Sequence, residues 1–170
     1  IGEMLCWSED PEKIDQWGNR KEEIYRELGI ASGISLVPGT KKFLRNLNEQ
    51  SVPMSIGTST ERKNIELAIK QNQLDGLFIG AICSEDVSHG KPDPEVFLKA
   101  AELISVEPTN CIVFEDSIHG LDAAIAAEMH PVGITTTNRE IDLLESGAQL
   151  VVERLDEINL SILKDLIKSG

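Results

Sequence analysis

Basic residues are scarce in this chain: 16 Lys and Arg stand against 29 Asp and Glu among 170 residues, a formal net charge of −13. That balance excludes nucleic acid and anionic membrane as main partners, and any phosphate the protein meets must be met by local positive groups. Cysteine is scarce too. Cys6, Cys83 and Cys111 lie far apart with no C-x-x-C pair, and two sit in apolar runs where a thiol behaves as a small hydrophobe. A reducing, cytoplasmic setting is therefore expected. No apolar run reaches the length of a membrane span, and the opening residues lack the basic, hydrophobic and small-residue succession of a secretory signal. Internal repeats and low-complexity stretches are also lacking. The expectation is a soluble, monomeric protein with one core.

What is present is alternation. From Asp10 to about Gly29 the chain is polar and helix-prone, with Ile14, Trp17, Ile24, Tyr25 and Leu28 spaced for one or two short amphipathic helices broken near Gly18. After Gly33 the pattern changes. PGTKKFLRNLNEQ (38–50) predicts a helix with Phe43, Leu44 and Leu47 on one face, and VPMSIG (52–57) a strand. Helix TERKNIELAIKQNQ, strand LFIGAIC, helix PEVFLKAAELI, strand CIVF, helix SIHGLDAAIAAEM and strand PVGITT follow, then helix REIDLLESG, strand LVV and a last helix near SILKDLIKS. Strands apolar on both faces, alternating with helices, predict an α/β fold: a doubly wound parallel sheet covered by helices on each side. The stretch from Asp142 onward predicts a sheet edge and a solvated face. Trp7 and Trp17 are expected to be packing residues.

In such sheets ligands bind beyond the carboxyl ends of the strands, so the residues there matter most. Thr58, Ser59 and Thr60 lie between a strand and a helix, where free backbone N–H groups favour an anion. Equally, Ser59 or Thr60 could be a plain helix cap. Lys91, fixed in front of Pro92, is either a cation at a defined place beside the strand ends or a lone surface lysine. Asp93 and Pro94 suit the start of the next helix. The apolar run Cys111–Phe114 ends in two adjacent carboxylates, Glu115 and Asp116, an arrangement that needs a positive partner such as a metal ion or a lysine. Hard oxygen donors of this kind suit Mg2+; the competing reading is that they cap the following helix, where Gly120 allows close packing on the strand. His89, His119 and His130 show no metal-ligand spacing.

Taken in order, T-S-T after VPMSIG, K-P-D-P in a loop, and F-E-D-S-x-x-G after an apolar strand resemble the haloacid dehalogenase-like phosphohydrolases, and among them the beta-phosphoglucomutase-like group. The resemblance runs from about Pro38 to Val152, and GNRKEEIYRELG is similar to the last helices of that group's helical cap. It implies a partial cap over residues 1–33 and a Rossmann-like core over 34–170. It further implies that Thr58 and the Ser59 amide hold a transferring phosphoryl group, with Thr60 beside them, and that Lys91 neutralises its charge. Asp116 would bind Mg2+, with Glu115 as a ligand or supporting partner, while Arg20, Lys21 and Arg62 would reach a small phosphorylated substrate. The chemistry implied is magnesium-dependent phosphatase or phosphomutase activity on a sugar phosphate.

One part of the family pattern is lacking. The nucleophile in that family is the first Asp of a D-x-D pair ending an N-terminal strand, and no D-x-D occurs in these 170 residues. The nearest stretch, MLCWSED, has Glu9 and Asp10 adjacent and runs straight into a helical pattern. The expectation is that the first strand and the front of the cap lie upstream of Ile1 and that this stretch alone is inactive. A non-catalytic phospho-ligand-binding or protein-interaction role is the competing expectation. Glu128 stands where relatives commonly have a helix-ending Gly.

Overall fold

The computed structural model describes residues 10–169; Cys6, Trp7 and nearly all of MLCWSED lie outside them. Helix α1 (Pro11–Ser32) starts where Asp10 accepts the Glu12 N–H at 3.1 Å and Pro11 takes the first position, and it ends at Gly33 with φ +78°. It does not break at Gly18, contrary to the sequence expectation. A side chain there would meet nothing within 4 Å, so glycine costs only its propensity, about 1 kcal/mol, which 22 residues of helix absorb. Trp17 is 43% exposed on this helix and lies outside the buried core.

Beyond α1 the chain alternates as the apolar pattern requires: α2 (Thr40–Glu49), β1 (Ile56–Gly57), α3 (Arg62–Asn72), β2 (Ala81–Ile82), α4 (Glu95–Leu103), β3 (Ile112–Glu115), α5 (Ile118–Ala126), β4 (His130–Ile134), α6 (Glu140–Glu145), β5 (Leu150–Val152) and α7 (Leu160–Ser169). All the ladders are parallel. β4 is buried along its whole length between β3 and β5, and β5 is the edge, as expected. Residue direction alternates along β3. Val113, with Cys111 before the strand, packs among Val96, Phe97, Ala123 and Met129 on one face; Ile112 and Phe114 pack towards Phe43, Leu47 and Leu163 on the other. Phe43 meets Phe114 edge-on at 5.3 Å between ring centres. Helices thus cover both faces, which is the doubly wound arrangement. The last helix corrects another expectation: its Leu163 is buried with Leu155 and Ile158, so this region is core as well as surface.

β1 and β2 are shorter than the apolar runs that contain them because among the described residues β1 pairs only with β2 and β3 only with β4. Hydrogen bonds between the β1 and β2 segments still run from the Met54 carbonyl to the Thr58 N–H. The sheet is therefore in two parts. Between them lies an apolar cavity of about 560 Å³, lined by Ser55, Ile56 and Gly57 on one side, Ile112, Val113 and Phe114 on the other, and Phe43, Leu47, Phe97 and Leu163 above and below. Both strands bordering it point the same way, with their carboxyl ends at one edge of the molecule. No described helix is long and apolar enough to cross a membrane.

Candidate functional site

Thr58 continues the β1 ladder by donating its N–H to the Ile82 carbonyl at 2.9 Å, and its hydroxyl accepts the Thr60 N–H at 3.2 Å, closing a tight turn. The Thr60 hydroxyl accepts from Asn64 at 2.8 Å. Neither Ser59 nor Thr60 caps α3. That place is taken from another loop: the Glu85 carboxylate accepts the Arg62 N–H at 3.1 Å. Its own amide holds Glu85 below the usual carboxylate range, against some burial, with help from the Arg62 amide and Ser84 hydroxyl.

The question of what offsets Glu115 and Asp116 has two answers. The Lys91 ammonium forms an ion pair with Glu115 Oε1, lies 3.4 Å from the Gly57 carbonyl, and stands 4.5 Å from the Phe97 ring centre. With side-chain exposures of 11% and 10%, the Lys91–Glu115 pair is no surface contact. Asp116 has no cationic partner among the described residues. Its Oδ2 accepts the hydroxyls of Thr136, at 2.7 Å, and Thr137, and its carbonyl accepts the Asn138 amide at 2.8 Å. The helix cap is Ser117, whose hydroxyl accepts the Gly120 N–H at 3.0 Å while donating to Glu115 at 3.0 Å. Gly120 is required here, since a Cβ at that position would overlap the Glu115 carboxylate.

Lys21, Thr58, Ser59, Thr60, Lys91, Glu115 and Asp116 line one open pocket of about 380 Å³, together with Glu22 and Ser117. Two expected members are elsewhere. Arg20 lies on the outer face of α1, bonded to Glu23 and Glu27 at 3.0 and 3.2 Å, because those partners stand one and two turns along its own helix. Arg62 is turned towards β2, donating to the Ala81 carbonyl at 3.2 Å and pairing with Asp86 at 2.5 Å, so its charge is committed away from the pocket. Glu22 escaped the sequence reading although it adjoins Lys21. So did Thr136, Thr137 and Asn138, which the same strand-end rule would have found after β4. His130 is buried between Gln149 and the Thr109 carbonyl at 3.1 and 3.0 Å, a packing role. The donor atoms of His89, Asp93 and Glu95 come within 4.8 Å of one another outside the pocket, but Glu95 already accepts from Lys99 at 2.6 Å and from two amides.

Residues 5–134 match the family described as haloacid dehalogenase-like hydrolase. The chain belongs to this family. Among curated haloacid dehalogenase-like relatives, it is 36% identical over 167 residues to the Arabidopsis thaliana chloroplastic 5-amino-6-(5-phospho-D-ribitylamino)uracil phosphatase, covering 98% of this chain and 44% of that protein. It is 31% identical over 149 residues to the phosphorylated carbohydrates phosphatase of Thermotoga maritima, covering 86% and 66%. The fold is shared with the crystal structure of beta-phosphoglucomutase from Clostridium difficile, with a TM-score of 0.82 at 22% identity over 99% of this chain and 74% of that one. The chain spans less than half the length of the plant phosphatase.

Proposed function

We propose that this haloacid dehalogenase-like chain is the phosphate-handling part of a magnesium-dependent phosphatase acting on a small phosphorylated metabolite, a sugar phosphate, through an aspartyl-phosphate. The observation that carries the reading is convergence: the Thr58–Thr60 turn after β1, Lys91 from the loop before α4, and Asp116 after β3 share one pocket. Phosphoryl transfer consists largely of positioning and charge neutralisation, and these groups supply both. Thr58 and Ser59 hold the phosphoryl oxygens, and Lys91, already fixed on Glu115, balances their charge. The relatives named as phosphatases of a phosphorylated ribityl compound and of phosphorylated carbohydrates support the substrate class.

Asp116 fits Mg2+ better than Glu115 does. Oδ2 of Asp116 is held by two neutral hydroxyls, whereas Glu115 is bonded to a lysine. A single carboxylate completed by water and substrate phosphate is a usual environment for Mg2+. When bound there, the ion would draw negative charge off the transferring group.

The nucleophile fits the cavity between the two parts of the sheet. An extended apolar segment seated there would find strand edges on both sides that no described strand pairs with, would run parallel to both, and would deliver its last residue to the pocket. In this reading α1 is the remainder of a cap over the site, and the core of residues 34–170 takes its first strand in the cavity. The substrate is the proposed partner, and the acidic charge argues against nucleic acid. The buried free thiols of Cys83 and Cys111 suit a reducing compartment.

The test uses the full-length protein on a panel of sugar phosphates, with Mg2+ or with EDTA. Asp116→Asn should lower kcat/KM by about 100-fold or more and remove the Mg2+ dependence, the scale expected from several kcal/mol of charge stabilisation. Activity within a few-fold of the parent would refute the metal role. Phosphate binding without turnover would favour the non-catalytic binding role instead.

A further inference from the structure

Resting on the phosphate reading of this pocket and extending it, we propose that Glu22 selects against a second phosphate. The substrate class it favours is a monophosphate whose remaining part carries hydroxyl or amino groups.

Glu22 is a pocket-lining side chain with only 14% exposure, and it is fixed. Its Oε2 accepts from Asn64, which is 2% exposed and also donates to the Thr60 hydroxyl at 2.8 Å. Asn64 in turn accepts from Arg26 at 3.0 Å, and Arg26 pairs with Glu61 at 2.9 Å. One buried amide therefore ties the carboxylate to the hydroxyl-rich turn that holds the phosphoryl group, and α1 to α3. Burial opposes its ionisation. The Lys21 and Asn64 bonds, aided by the Lys21 and Arg26 charges, outweigh burial and keep Glu22 ionised below the ordinary carboxylate range.

The charges in the pocket then decide what fits. Two cations, Lys21 and Lys91, stand against three carboxylates, Glu22, Glu115 and Asp116. Lys91 is bound to Glu115, and the exposed Lys21, which would otherwise attract a second anionic group, is bound to Glu22. One dianionic phosphate with Mg2+ leaves such a site close to neutral, at −1; a second dianion beside Glu22 would take it to −3. A carboxylate can only accept hydrogen bonds, so the groups it welcomes are donors: the hydroxyls of a sugar or polyol, or an ammonium.

The experiment is calorimetric titration in Mg2+ with inorganic phosphate, glucose 6-phosphate and fructose 1,6-bisphosphate, on the parent chain, on Glu22→Gln and on Lys21→Met. The parent should bind the monophosphate more tightly than the bisphosphate. Glu22→Gln, which keeps the size and the acceptor for Asn64 while freeing Lys21, should move that ratio about fivefold or more towards the bisphosphate, the factor expected for one unscreened charge at close range. Lys21→Met should move it the opposite way. An unchanged ratio in both variants overturns the role of Glu22. Failure of every form to bind inorganic phosphate overturns the phosphate reading itself, and this inference with it.

Discussion

Replacing Lys91 by Met should destabilise the protein by about 3 kcal/mol. Methionine matches the length of the lysine stem and can keep contact with the Phe97 ring, so packing is largely preserved and the charge is what is lost. Glu115 would then remain about nine-tenths buried with one oxygen on the Ser117 hydroxyl and the other without a cation. Breaking a buried pair from one side costs about 3–5 kcal/mol, and the slight exposure of both partners argues for the lower end. Urea unfolding, followed by circular dichroism, should show the midpoint falling by about 1.5 M for a slope near 2 kcal/mol/M. Adding Glu115→Gln should recover about 2 kcal/mol, because the orphaned charge is gone. A midpoint for Lys91→Met within about 0.3 M of the parent, or no recovery in the double variant, would refute the claim that this pair is buried and coupled.

Two further outcomes follow from local geometry. Glu128 closes α5 with φ +58°, a conformation that costs a side-chain-bearing residue about 1–2 kcal/mol, part of which glycine would give back in unfolded-state entropy. Glu128→Gly should therefore raise stability by about 0.5–1 kcal/mol and Tm by about 2 °C in a thermal scan, and a fall in Tm would contradict it. The Glu95 carboxyl is held down to about 2, against an ordinary 4.5, by the Lys99 side chain first and then the His89 and Ser88 amides, with slight burial opposing. Since the folded value lies below the unfolded one, its stabilisation is complete above pH 4.5 and is lost as pH falls from there through 2. Acid titration of unfolding should thus be less steep in this window for Glu95→Gln than for the parent; identical slopes would exclude it.

The parts of the site legible in the sequence were those fixed by their immediate neighbours. Lys91 stands before a proline, Glu115 and Asp116 end an apolar strand, and Thr58 follows another, so chain position alone placed them at one edge of a parallel sheet. Arg62 was not legible because its direction depends on Asp86, which reaches it only once β2 lies beside β1. Arg20 had equal claim with Lys21 in the sequence; their difference is one residue of helical rotation, about 100°, which sends one to solvent and the other to the pocket. The lengths of β1 and β2 failed for a related reason. An apolar run says which residues avoid water, but a ladder also needs a partner strand, and β1 has one only on the β2 side among the described residues.

The division of the sheet gives Lys91 a mechanical meaning. Its ammonium touches the Gly57 carbonyl of β1 and the Glu115 carboxylate of β3, one contact on each bank of the cavity. No strand ladder among the described residues spans that gap, so this side chain is a polar tie between the two banks, added to the helix packing they share, with Phe97 bracing its stem. Loosening it would remove the polar tie across the pocket while each half kept its own hydrogen bonds. Lys91 thus bears on the width of the site as well as on its inventory of groups.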